Sequence, residues 1–415
     1  MKVLYVSRLF SGLAPSLASR RWAPSGAPTS FKLIEALDRS EHDLDLIFTA
    51  RSGSGWDRRD DVILEIDGLV TPATVLAGVD RLPVRPPRVA DDVSELRHLR
   101  RLLQRIERSR PDVIHIGHAN AWAAAWLARR SSIPVLLRVM GVFPYMRDAL
   151  TTGRPRARAL RWAFRSPFGA VVMTQDGSGV EPWMDALPED VPRVALVNGV
   201  TRAATPAEPL AVQLPPGATV VLLLGRLETY KGVHDFLTGF LDAWRLRPSL
   251  HALIVGDGTE RAALERRVAS QHAEGAVTFL GAVPHADVPS AHEVADIYVS
   301  LNVLGNLSNA NLEAMVNGSC LVMPRSRPET SVDVFTDAVI PQDAAWRIGG
   351  SDDHGGLTDA LVALHDDPAR RSAMRAAVAE AAAGFVPTWD ARIGREIEIL
   401  ERLAARERLD REATA

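Results

Sequence analysis

The sequence predicts an α/β protein made of two doubly wound parallel-sheet domains, each Rossmann-like. Three observations carry this. Short β-branched runs alternate with helical patterns along the chain. Most of those runs are continuously apolar rather than alternating. The alternation comes in two series separated by a proline-rich break. Continuous apolar runs suit strands buried on both faces, as in a parallel sheet. A βαβα rhythm suits doubly wound sheets.

The first series places strands at Val3–Ser7, Leu44–Thr49, Asp112–Gly117, Pro134–Val139, Ala170–Thr174 and Val194–Asn198. The second places them at Thr219–Leu224, His251–Gly256, Val277–Leu280, Asp296–Leu301 and Cys320–Pro324. Helical patterns fall between them, at Thr29–Leu37, Ser94–Arg108, Val233–Trp244, Glu260–Ala269 and Leu312–Val316. The break over residues 201–218, with Pro206 and Pro215-Pro216-Gly217, reads as a linker. Residues 1–205 and 206–387 are therefore expected as two domains, and 415 residues are enough for each to bury its own core. A last helix, Thr388–Arg406, carries Trp389, Ile393, Ile397, Leu400 and Leu403 on one face, with Thr388 as N-cap; spacing alone does not say which domain it covers. Residues 406–415 read as a frayed, solvated tail. Ligands of such sheets bind beyond the carboxyl ends of the strands, so a cleft between two such domains is the expected site.

Composition narrows the function classes. Apolar residues make up 47% and charged residues 24%, and the net charge of −3 gives no basic field for nucleic acid. The N-terminal apolar run is short and broken by Arg8, unlike a signal peptide, and no stretch reaches the ~18 apolar residues of a membrane span. A cytoplasmic protein is expected. The single cysteine, Cys320, sits in an apolar run and reads as a buried structural thiol. Of 48 basic residues only three are lysines, and one of these is Lys231.

Four constellations carry chemistry. In Gly225-Arg226-Leu227-Glu228-Thr229-Tyr230-Lys231-Gly232, two cations flank a loop between a buried strand and a helix start, where free N–H groups and the helix dipole favour a diphosphate. In Asn306–Met315, an Asn-rich loop enters a helix that sets Glu313 among apolar neighbours; such a carboxylate needs a partner, and a ribose diol is one. Val255-Gly256-Asp257-Gly258 is a turn leaving a strand. Phe279-Leu280-Gly281-Ala282-Val283 ends a strand at a glycine where a planar base can approach the main chain. Spacing alone leaves each open to a plainer role: solvated charges, an exposed helix glutamate, or tight turns.

Taken together and in this order, the four resemble the C-terminal domain of glycosyltransferase family 4, of GT-B architecture, over about Val220 to Met323. The N-terminal half resembles the family through Pro24-Ser25-Gly26, Pro111-Asp112-Val113-Ile114-His115 and Asn198-Gly199-Val200. The resemblance implies a retaining transferase that moves a sugar from a nucleoside diphosphate sugar to an acceptor hydroxyl, in polysaccharide or glycoconjugate synthesis, with saccharide or lipid-linked acceptors. It implies that Gly26 belongs to a glycine-rich first loop, that Gly225, Arg226 and Lys231 hold the diphosphate, and that Glu313 holds the ribose. The Gly281–Val283 backbone would meet the base, and the chain at Leu307, Ser308 and Asn309 would present amides to the β-phosphate or sugar. It implies no bound metal or cofactor, and the sequence shows no His/Asp/Glu metal cluster. The family's final helix crosses back to the first domain.

Two positions depart from the family. A glutamate that grips sugar hydroxyls is replaced by Gly305, and a His-Gly pair by Met140-Gly141. Asn306 or Asn309 is a candidate to meet the sugar instead. These losses keep open an alternative: a nucleotide-sugar-binding protein with impaired turnover. By resemblance, Arg226 and Lys231 stabilise the leaving diphosphate, worth ~10²–10³ in rate for each, and no dedicated base is named; His115 and His118 read as structural. Arg154, Arg156, Arg158, Arg161 and Arg165, with Leu160, Trp162 and Phe164, read either as a peripheral membrane contact or as a solvated helix whose apolar side is core. A dehydrogenase is disfavoured because Ser7–Gly12 lacks Gly-x-Gly-x-x-Gly.

Overall fold

The computed structural model describes all residues except 52, 53, 55, 57–59, 79–86, 202–209, 408 and 410–415. Much of the expected linker and tail lies outside the described residues. The chain divides into two compact units: Met1–Thr174, Val180–Leu196 and Asp390–Ala415 form the first, Gln175–Gly179 and Val197–Trp389 the second. The crossing into the second unit comes at Val197, ahead of the proline-rich stretch.

The first unit holds an eight-stranded sheet: β1 (Lys2–Arg8), β2 (Asp43–Thr49), β3 (Val62–Leu64), β4 (Ala73–Leu76), β5 (Val113–Gly117), β6 (Val135–Val139), β7 (Ala170–Thr174) and β8 (Arg193–Leu196). Their order is β3-β4-β2-β1-β5-β6-β7-β8, parallel throughout except for the β3–β4 pair. The second unit holds β9 (Thr219–Leu224), β10 (Leu250–Val255), β11 (Val277–Gly281), β12 (Ile297–Val299), β13 (Leu321–Pro324) and β14 (Ala345–Ile348), all parallel, in the order β11-β10-β9-β12-β13-β14. β-Branched and leucine-rich central strands such as Val220-Val221-Leu222 are buried on both faces because helices cover both sides. The sequence missed β3, β4 and β14. Each has three or four residues, and β3 and β14 are edge strands, so none carries a long buried apolar run.

Each sheet reverses its strand order once, between β1 and β5 and between β9 and β12. At such a switch point the connections leave in opposite directions, which opens a crevice at the strand ends.

The last helix, Trp389–Ala404, belongs with the first unit from Asp390 on. Its buried face includes Ile393, Ile399, Leu400 and Leu403, and also the charged Arg392 and Glu396. The sequence reading missed this charged pair. Glu396 reaches His115 Nε2 at 3.1 Å, Arg138 Nε at 3.1 Å and Arg392 Nη1 at 2.8 Å. Burial pushes the Glu396 carboxyl up, but Arg138, Arg392 and His115 outweigh it and hold it well below the usual carboxylate range. His115 also stacks on Tyr5, so its place is in this core network. Cys320 is fully buried, and burial pushes its thiol up to about 12, which leaves it unreactive.

Candidate active site

The second switch point carries the expected cations. β9 ends at Leu224, and Gly225-Arg226-Leu227 leave from its carboxyl end. A 3₁₀ turn, Thr229–Lys231, then leads into the helix Val233–Leu246. Gly232 joins the two with φ of 67°, and a Cβ there would lie 2.5 Å from Leu301 Cβ. Only glycine lets the Lys231 loop turn this way against the end of β12. One small pocket is lined by Gly225, Arg226 and Lys231 from this side and by Ser300, Ser308 and Asn311 from the other.

The opposite wall is the helix Asn309–Val316, with Ser308 as its N-cap. Asn311 anchors that helix to β12: its amide donates to Ser300 Oγ at 2.9 Å and its oxygen accepts from the Tyr298 hydroxyl at 2.8 Å. The first-turn amides have no acceptor within the helix and face the pocket edge with Ser308. Leu307 differs from expectation. It is fully buried and its N–H donates to the Asp176 carbonyl at 3.0 Å, so it has no amide to give a phosphate. Asn306 is also ruled out as a sugar contact. It is fully buried, and its side chain bonds Ser300, Asn302 and Asp333. Asn309 is half-buried and accepts from Asn198 Nδ2 at 2.7 Å.

The electrostatics are unbalanced. Lys231 is pushed down to about 8, first by burial and then by Arg226, with Asp176 pulling it back up. Both cations flank the Tyr230 ring, Arg226 at 5.9 Å and Lys231 at 5.6 Å from its centre. Neither forms an ion pair among the described residues. Glu313 is 12% exposed, lies 3.6 Å from His285 Nε2, and is pushed up to about 7 by burial.

Asp176 was not legible in the sequence, because it follows β7 of the first sheet. Its loop, Gln175–Gly179, packs with the second unit. Burial raises its carboxyl to about 6. The same loop explains Gly305: a Cβ there would lie 2.5 Å from Gly177 C and 2.6 Å from Asp176 O. Main chain fills the space a side chain at 305 would take.

The remaining expected residues lie elsewhere. Gly281 ends β11, and its carbonyl accepts from Gly256 N at 2.8 Å; Val283 is half-buried against the core. Neither lines the pocket of Arg226 and Lys231. Gly26 lies in the first unit with φ of 64°, just ahead of the helix Pro28–Asp38. Met140 follows β6, and its N–H donates to His118 Nδ1 at 3.4 Å; burial pushes His118 down to about 4, so its imidazole is neutral. Among the described residues, no group of three or more His, Cys, Asp or Glu is placed to hold a metal.

Comparison with known proteins places this geometry. Residues 207–378 match the family described as glycosyl transferases group 1, and residues 26–177 match the glycosyl transferase 4-like domain. The chain belongs to the group 1 glycosyltransferases. Its fold is GT-B, as two solved structures show: sucrose-phosphate synthase from Thermosynechococcus elongatus (TM-score 0.70, 16% identity, 98% of this chain and 100% of that one) and the Anabaena protein HepE in complex with UDP (TM-score 0.63, 15% identity, 98% and 100%). This glycosyltransferase is 28% identical to the 2-deoxystreptamine N-acetyl-D-glucosaminyltransferase of Streptomyces fradiae, over 51% of this chain and 54% of that protein. The match spans about half the length of that relative.

Proposed function

We propose that this glycosyltransferase transfers a sugar from a nucleoside diphosphate sugar to an acceptor hydroxyl with retention of anomeric configuration. The observation that carries the reading is the pair Arg226 and Lys231, at a topological switch point and without ion-pair partners among the described residues. A diphosphate supplies the missing negative charge. Its leaving oxygen gains charge as the glycosidic bond breaks, and a guanidinium and an ammonium already in place stabilise that charge without reorganising. Their charge serves where other enzymes use a divalent cation, so chelators leave turnover unchanged. Glu313 is the acceptor for the ribose diol, on the helix whose first turn faces the diphosphate. The departing phosphate takes the acceptor's proton as the acceptor oxygen forms its bond on the same face. The HepE structures with UDP and with UDP and glucose support a nucleotide-sugar donor.

The acceptor is a saccharide or a lipid-linked glycan, in polysaccharide or glycoconjugate synthesis, and the protein works in the cytoplasm or at the inner face of a membrane. No helix among the described residues is long and apolar enough to cross one. A thermal-shift screen against nucleoside diphosphates and their sugars tests the donor, because a ligand of the native state raises the midpoint by mass action. NMR of the product anomer tests retention. Donor binding without transfer or slow hydrolysis gives the impaired-binder reading, for which the blocked position 305 is the motive; no binding at all overturns both.

A further inference from the structure

The helices Ala121–Arg130 and Pro155–Phe164 lie side by side in the first unit. The first buries Ala121, Ala123, Ala124, Ala125 and Leu127, and the second buries Ala157, Ala163 and Phe164. Small residues and one phenylalanine therefore meet the core. The three indoles do not: Trp122, Trp126 and Trp162 are 43%, 41% and 42% exposed. Trp122 and Trp126 are one turn apart on their helix, and Trp122 stacks on Trp162 across the pair at 5.7 Å between ring centres. The Arg129 guanidinium lies 4.5 Å from the Trp162 ring centre, and Arg130 lies 5.0 Å from that of Trp126. Residues 121–130 and 154–165 contain seven arginines and no acid; Arg161 is turned inward to the Ala149 and Thr152 carbonyls, which leaves six for the surface.

We propose that this face docks the protein on an anionic phospholipid bilayer, with the indoles at headgroup level and the arginines against lipid phosphates. Indoles favour the membrane–water interface, where one edge is apolar and the N–H stays wet. Arginine stems lie along apolar surface while the charged ends reach the headgroups. Each arginine near an anionic surface adds roughly fivefold in partition. A soluble polyanion would use the arginines and leave three indoles in water. A second copy of this chain would oppose six surface arginines with six more.

Co-sedimentation of the full chain with vesicles tests the proposal. Phosphatidylglycerol–phosphatidylcholine vesicles are expected to bind it at about 0.1 M salt, and pure phosphatidylcholine vesicles to leave it in solution. Trp122→Ser/Trp126→Ser/Trp162→Ser and Arg154→Gln/Arg156→Gln/Arg158→Gln should each lower partition by about tenfold or more, with thermal midpoint and donor affinity unchanged. If the triple tryptophan chain does not fold, Trp126→Ser alone should lower partition in the same direction. Failure to bind the anionic vesicles overturns the proposal. So does binding that survives loss of the indoles while heparin competes it away, which marks a polyanion site. A concentration-dependent dimer abolished by the tryptophan variants also overturns it. Donor binding is read separately, so these outcomes do not bear on the transferase reading.

Discussion

Each unit gathers a set of ionisable side chains beside its sheet, yet the two sets are arranged in opposite ways. In the first unit Glu396 meets His115, Arg138 and Arg392, and every charge has a buried partner. In the second, Arg226 and Lys231 share a pocket with no acid paired to either among the described residues. The first set is fully buried and holds an acid against its cations, whereas in the second Lys231 is half-buried and Arg226 exposed, and neither meets an acid among the described residues. A charge set closed by the fold holds a helix in place. One left open has room for a ligand's charge, as the proposed donor would supply.

Breaking the closed set should have the largest effect. Glu396→Ala leaves Arg138 and Arg392 buried without their acid, and should cost about 3–5 kcal/mol of stability, read by chemical denaturation; donor affinity of the folded fraction should not change. Opening the second set further works the other way. Lys231→Ala should lower kcat/KM by about 10²–10³, near 3–4 kcal/mol, while thermal stability holds or rises, because a desolvated ammonium is removed. A fall in stability matching Glu396→Ala would erase the contrast.

Gly305→Ala tests the backbone contact beside the open set. Its Cβ would press on the Gly177 main chain, and about 1–3 kcal/mol of destabilisation is expected, measured by the shift of the unfolding midpoint. The smallest effect is in pH. In the proposed donor complex Glu313, raised to about 7, would accept ribose hydroxyls only when ionised, and Lys231, lowered to about 8, would hold phosphate only when protonated. Donor affinity should therefore rise through pH 7 and fall through pH 8, by up to about tenfold on each arm. In the apo protein the signs reverse. The Glu313 contribution to stability is full below its unfolded value and lost as pH climbs through 7; that of Lys231 appears as pH climbs past 8. Lys231→Arg should flatten the alkaline arm and Glu313→Gln the acid one, and a donor-affinity profile flat in the parent chain would remove both assignments.

Much of this was legible in the chain. The apolar runs at Val3, Val113, Ala170 and Thr219 are all strands, because continuous apolar character needs burial on both faces. Arg226, Lys231, Ser308 and Glu313 announced themselves through local pattern: a strand, a loop and a helix start within a few residues. What failed was what local pattern does not contain. Asn306 reads as a polar loop residue, yet Asp333, 27 positions on, takes its amide into the core. Leu307 reads as a phosphate-facing amide, yet a carbonyl 131 positions earlier holds it. Glu396 went unread on the last helix, because its partners His115 and Arg138 lie on β5 and β6.

By itself the sequence determined the fold class, the two sheets, the family and the two cations that share a pocket at the second switch point. These rest on periodicity, turn chemistry and short-range spacing, which a linear string carries in full. Only the tertiary structure decided that Asp176 joins the second unit, that main chain fills the space at position 305, and that three tryptophans face outward among arginines. Each of those depends on which distant segments meet. The spacing of residues along a chain does not fix that; the packing of whole elements does.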